Sequence, residues 1–166
     1  DIYFLGPVNF QPPPGFTLRI TNNGALSFVN DINATEIVEI DSPNFFIYQT
    51  FSGPRLDIIF TSTVILFDAS LSTNLRLLDA SSLIGTGTIS EFTAVSDTIL
   101  FSPLATGSMM FSIGNFNVPN DVNFPIQFTI DSGGSYGKVV VTDFILTQNL
   151  IIEIDVSDNI PIPDLI

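Results

Sequence analysis

The segment Asn30-Asp31-Ile32-Asn33-Ala34-Thr35-Glu36 is the best candidate cluster of hard oxygen ligands in the chain. Asp31 and Asn33 stand two residues apart with Glu36 close behind, and carboxylate and amide oxygens in that arrangement suit calcium. The segment lacks the central glycine and distal glutamate of the helix-loop-helix calcium motif. Its other reading is a solvated acidic loop that keeps an apolar protein soluble. Asp155, Asp158 and Asn159 form a second, weaker group, and Asn33-Ala34-Thr35 is an acceptor triplet for N-glycosylation.

Most other chemistry is excluded by residue type. The chain has no His and no Cys, which removes the usual general base, every Ser-His-Asp arrangement, the thiolate nucleophile and the disulfide framework. Its one lysine, Lys138, lies in the strand-like Gly137-Lys138-Val139-Val140-Val141. A Ser-Lys pair or a covalent cross-link to an Asn would have to be built there, whereas a strand lysine more often points to solvent or pairs with a carboxylate. Seventeen carboxylates could supply an acid/base pair, but no spacing singles one out. With no Trp and three Tyr, a flat aromatic platform for sugars is not favoured. The expectation is a protein without catalytic residues, and without a cofactor unless calcium binds at Asp31, Asn33 and Glu36.

Charge narrows the partners. Arg19, Arg55, Arg76 and Lys138 face seventeen carboxylates, for a net charge of −13. Phosphate backbones and anionic membrane surfaces are repelled by such a chain, so neither nucleic acid nor membrane insertion is expected. The uncharged stretch from Thr98 to Asn120 is long enough to span a bilayer, but Pro103, Gly107, Gly114 and Pro119 break it. Two adjacent strands explain it better. The first residue, Asp1, and the neutral-polar composition suit a mature secreted or cell-surface product.

The elements that must carry these residues are strands. Apolar and polar residues alternate in Phe16 to Thr21, Ser108 to Ile113, Ile126 to Asp131 and Ile152 to Val156, the period of two expected when one face is buried. Glu36 to Asp41, Phe45 to Phe51, Leu56 to Asp68, Gly87 to Thr93, Thr98 to Ser102 and Lys138 to Leu146 are strand-like through β-branched and aromatic residues. Asn22-Asn23-Gly24, Ser52-Gly53-Pro54 and Asp131-Ser132-Gly133-Gly134-Ser135 read as turns, the first a hairpin signal. Helical spacing occurs only at Leu71, Leu75, Leu78 and Leu83, and no internal repeat is evident. Ten or so short strands without crossover helices predict an all-β fold: an antiparallel two-sheet β-sandwich, jelly-roll-like, with an N-terminal extension strand.

That extension is residues 1–15. Ile2, Phe4, Gly6, Val8 and Phe10 make a period-two row with a central glycine, followed by the proline hinge Pro12, Pro13 and Pro14. The row resembles the amino-terminal extension of donor-strand pilins, departing from it at Pro7, which would cost a ladder hydrogen bond. The resemblance implies insertion of Ile2, Phe4, Gly6, Val8 and Phe10 into a neighbouring subunit, with residues 16–166 as the sandwich that receives such a strand. A first strand of the domain's own sandwich is the other reading of this segment. The functional expectation is a structural subunit of an extracellular filament or surface coat, with itself as partner. Its alternative is a monomeric binding or adhesion module whose acidic loops take calcium or a glycan.

Overall fold

A computed structural model describes residues 1–60, 62–95, 100–103, 110–119, 124–130, 137–146 and 150–156. The expected turn at 131–135, the Asp158 and Asn159 pair and the turn-like 104–107 lie outside these residues. The strands are β1 (Ile2–Phe4), β2 (Val8–Phe10), β3 (Leu18–Thr21), β4 (Ala25–Phe28), β5 (Ile32–Ala34), β6 (Val38–Asp41), β7 (Asn44–Ile47), β8 (Thr50–Ile58), β9 (Thr63–Leu77), β10 (Ser82–Ala94), β11 (Leu100–Pro103), β12 (Met110–Asn117), β13 (Phe124–Ile130), β14 (Lys138–Leu146) and β15 (Leu150–Val156).

The protein is all-β, with no helix among the described residues, but the expected antiparallel sandwich is wrong: every strand pair is parallel. Ile2 pairs with Leu26, Leu26 with Phe45, Phe45 with Val64, Val64 with Leu83, Leu83 with Phe101, Phe101 with Ile126 and Ile126 with Ile152. The chain therefore returns to the same place every 18 to 26 residues, and by 19 in the three steps from Leu26 to Leu83. It winds as a parallel β-solenoid. An internal repeat does exist, contrary to the sequence reading.

Each coil contributes to three ladders. The first contains β1, β4, β7, the starts of β9 and β10, then β11, β13 and β15. The second runs through β2, β5 and the start of β8 into the middles of β9 and β10, then β12 and β14; the third joins β3 and β6 to the far ends of β8, β9, β10, β12 and β14. Register shifts between Ser52 and Arg55, Thr86 and Gly87, Ile89 and Glu91, and Ile113 and Asn115 mark corners where a continuous strand passes from one ladder to the next. Ser52-Gly53-Pro54, expected as a turn, is one of these bends inside β8.

The three ladders enclose one core. Phe28 of the first ladder meets Phe10 of the second edge-on at 6.0 Å, and Phe124 of the first meets Phe92 and Phe116 of the third at 5.4 and 5.8 Å. Alternation supplies the core: Leu26, Phe45, Val64 and Leu83 are fully buried at one level, and Ile40, Ile58 and Leu77 at another. Leu71, Leu75 and Leu83, spaced as in a helix, are inward positions of β9 and β10. Thr73 is also buried between them, so the period is two with a polar member.

Buried serines hold the corner between the third and first ladders. Ser62 Oγ donates to the Ile59 carbonyl at 2.6 Å and accepts from Ser42 N–H at 3.0 Å, while Ser42 Oγ donates to the Gly24 and Asn44 carbonyls. Ser81 Oγ is directed at the carbonyls of Ile58, Phe60 and Leu78. A chain turning inside a packed solenoid leaves peptide groups that cannot reach the ladders, and a hydroxyl satisfies them. Ser62→Ala should cost about 1–3 kcal/mol in urea unfolding, because it strands a buried N–H and a buried carbonyl.

Candidate functional site: the open first coil

The segment expected as a detached donor strand is the first coil of the solenoid. Ile2 and Phe4 lie on β1 and pair with Leu26 and Phe28; Val8 and Phe10 lie on β2 and pair with Ile32 and Ala34. Gly6 sits at the corner between β1 and β2 beside Pro7, so that proline removes no ladder donor. The extension strand is thus corrected: residues 2–10 belong to the same parallel fold as the rest. Pro12, Pro13 and Pro14 carry the chain from β2 towards β3, with the Phe16 N–H closing back on the Pro13 carbonyl at 3.1 Å. Asp1 fastens the start, its Oδ1 accepting from Ala25 N–H at 2.9 Å.

The even residues chosen for insertion point inward. Phe4 stacks on Phe28 at 4.5 Å with rings 3° apart, and Val8, Phe10 and Ile20 pack on the core while remaining half-buried. Among the described residues β1, β2 and β3 pair with β4, β5 and β6 alone, and nothing described covers the coil's far side. Leu26, one step inside, is fully buried, whereas Ile2 at the same inward position is 44% exposed. At the other end of that column Ile152 is 61% exposed, and β15 pairs with β13 alone among the described residues.

Backbone direction adds a second feature. The amides of Val8 and Leu18 and the carbonyls of Phe4 and Phe10 bond to the second coil. In a parallel ladder alternate residues address opposite neighbours, so Tyr3, Asn9 and Arg19 turn their peptide groups outward. Among the described residues no strand pairs with this outward row, a geometry suited to strand addition.

The acidic loop is placed differently. Asp31 Oδ1 accepts from Thr50 N–H at 3.2 Å, and Ile32, in the middle of the segment, is fully buried on β5. Asn33 faces outward and donates to Asn9 Oδ1 at 3.3 Å in the coil below. Glu36 is half-buried after β5. The segment bridges coils, and among the described residues no three or more Asp or Glu side chains are grouped to hold a metal ion.

The arginines share the third ladder. Arg19, Glu39, Asp57 and Arg76 are in register on successive coils. Arg19 reaches Asp41 at 3.0 Å, and the buried Asp57 lies between Arg55 at 3.0 Å and Arg76 at 3.8 Å. Arg19 also lies 5.2 Å from the Phe60 ring centre. Arg19 and Arg76 are committed to cross-coil pairing, and Arg55 to a carboxylate two residues along its own strand. Lys138 begins β14 with an exposed side chain.

No helix among the described residues is long and apolar enough to cross a membrane, and residues 100–103 and 110–117 of the uncharged stretch form β11 and β12. Comparison with protein-family models, curated proteins and solved structures found no match to this chain.

Proposed function

We propose that this chain is a structural subunit of a surface filament or coat, joined head to tail by β-strand addition at the open first coil. The strand is not withdrawn from one subunit and inserted into another, as in the pilin scheme. The first coil of one copy takes the place that a further coil would occupy on the last coil of the next. The observation that carries the reading is Ile2, at an inward position of the core column yet 44% exposed. A neighbouring coil would bury it as Phe45 buries Leu26. Contact between two different ends is heterologous, and such contacts propagate into open filaments when the rotation does not close.

The edge gives a selective test. Proline at positions whose amides point outward removes donors only for a neighbour, leaving the chain's own ladder intact. Tyr3→Pro combined with Asn9→Pro should keep the circular dichroism spectrum of the parent while abolishing higher oligomers in sedimentation velocity. Assemblies larger than a dimer that persist in the folded double variant would place the contact elsewhere.

A further inference from the structure

The outside of the first ladder is apolar for five coils. Tyr3, Ser27, Phe46, Ile65 and Ile84 are in register and face outward. Beside them, at the corner, run Leu5, Val29, Tyr48 and Phe67, the last three 37%, 38% and 42% exposed. Phe67 stacks on Tyr48 at 4.6 Å with rings 5° apart and on Phe46 at 6.2 Å. Ser27, though outward, is buried beneath its neighbours, so these side chains form one continuous covering. Coils lie about 4.8 Å apart, which makes the face about 19 Å long. Its margins are polar: Asn44, Thr63 and Ser82 on one side, Gln49 and Asp68 on the other. An apolar centre with a polar rim is the anatomy of a protein interface.

We propose that this face packs against the same face of a second copy, sheet on sheet. Charge selects that occupant. Copies carrying −13 each repel one another over most of their surface, but these two outward columns contain no charged residue, so two copies meet here without burying a carboxylate. The aromatic rings have faces taken up by stacking on one another at 4.6 and 6.2 Å, which suits interdigitating side chains better than the flat face of a sugar. A basic partner would find no carboxylate among these columns. Two flat sheets packing about 10 Å apart through one shared patch form an isologous pair, and a residue at the patch centre then lies beside its own counterpart.

The absence of cysteine makes the test direct. Single-cysteine variants Tyr48→Cys and Ile65→Cys, at the patch centre, should oxidise to covalent dimers on a denaturing gel. Thr88→Cys on the outer side of the second ladder should give at least tenfold less. Adding Phe67→Asp to Ile65→Cys should remove the cross-link while leaving the unfolding transition cooperative. Using Ile65→Cys in the Asn9→Pro background, a change on the second ladder outside this face, separates this contact from the head-to-tail one, and the cross-link should survive there. Equal yields from both ladders, or none from the first, would overturn the pairing. Co-sedimentation with phosphatidylcholine vesicles without cross-linking would assign the face to lipid instead.

Discussion

Gly87→Ala should lower stability by about 3–5 kcal/mol, from a strained backbone angle and overpacking together, read as a fall in the urea midpoint with the slope unchanged. Gly87 opens the second-ladder part of β10 at φ +148, a region that residues with a side chain rarely enter. A Cβ there would stand 2.1 Å from the Ala69 carbonyl oxygen in the coil below. Backbone cannot step aside as a flexible side chain would. The close approach arises because Thr86 pairs with Phe67 and Gly87 with Ala69, leaving Asp68 as an extra residue in the facing strand. Asp68 absorbs this bulge at φ 56. Gly6→Ala is the control: nothing lies within 4 Å of the added atom, and the change should stay within about 0.5 kcal/mol. Equal midpoints for the two variants would mean that β9 and β10 do not approach as described.

Phe28→Ala is the second large effect, at about 3–5 kcal/mol. Phe28 is the fully buried ring on which the first coil rests, touching Phe4 at 4.5 Å, Phe10 at 6.0 Å and Phe45 at 5.7 Å. In a solenoid each coil contacts only its neighbours, so damage stays local before it becomes global. Amide exchange should therefore accelerate most in residues 2–10, whereas Phe92→Ala should accelerate it in the later coils around Phe116 and Phe124. Uniform acceleration in both variants would indicate one cooperative unit without coil-by-coil stability. The first result also bears on function, because a loosened first coil is a poorer edge for addition.

How much of this was legible in the sequence depends on the range of the interaction. Strand identity is local: β3, β12, β13 and β15 fall where alternation places strands, and β6 and β14 where β-branched and aromatic residues do. Parallel pairing is not local, since a parallel and an antiparallel strand with one buried face show the same alternation. Asn22-Asn23-Gly24 was read as a hairpin because its residues favour tight turns, but here it joins β3 to β4 as a corner, and β4 continues onto another ladder. The 19-residue return was hidden because Leu26, Phe45, Val64 and Leu83 preserve hydrophobicity rather than identity. Its clearest trace is a buried serine two or three residues before three of these positions, Ser42 before Phe45, Ser62 before Val64 and Ser81 before Leu83.

The candidate site was legible in part. Ile2, Phe4, Val8 and Phe10 were picked out as an apolar row, and they do face one way. Their partners are not legible in the sequence, because three prolines after Phe10 suit a hinge between bodies as well as the corner within one coil that the register shows. The Asp31 segment misled for a related reason: its oxygens suggest an ion, but Asp31 and Asn33 bond across coils to Thr50 and Asn9, and only the register reveals those neighbours. The outer apolar columns were missed entirely. Tyr3, Phe46 and Ile65 lie on separate strands, and only the register aligns them.

The most direct measurement of head-to-tail stacking is electron microscopy of the purified chain across a concentration series, with diffraction from aligned specimens. Stacking predicts rods, one solenoid wide or two where the apolar faces pair, that lengthen with concentration and give a reflection near 4.8 Å along the rod axis, lost in the Tyr3→Pro and Asn9→Pro variant. Discrete particles of one subunit's size at every concentration would contradict it.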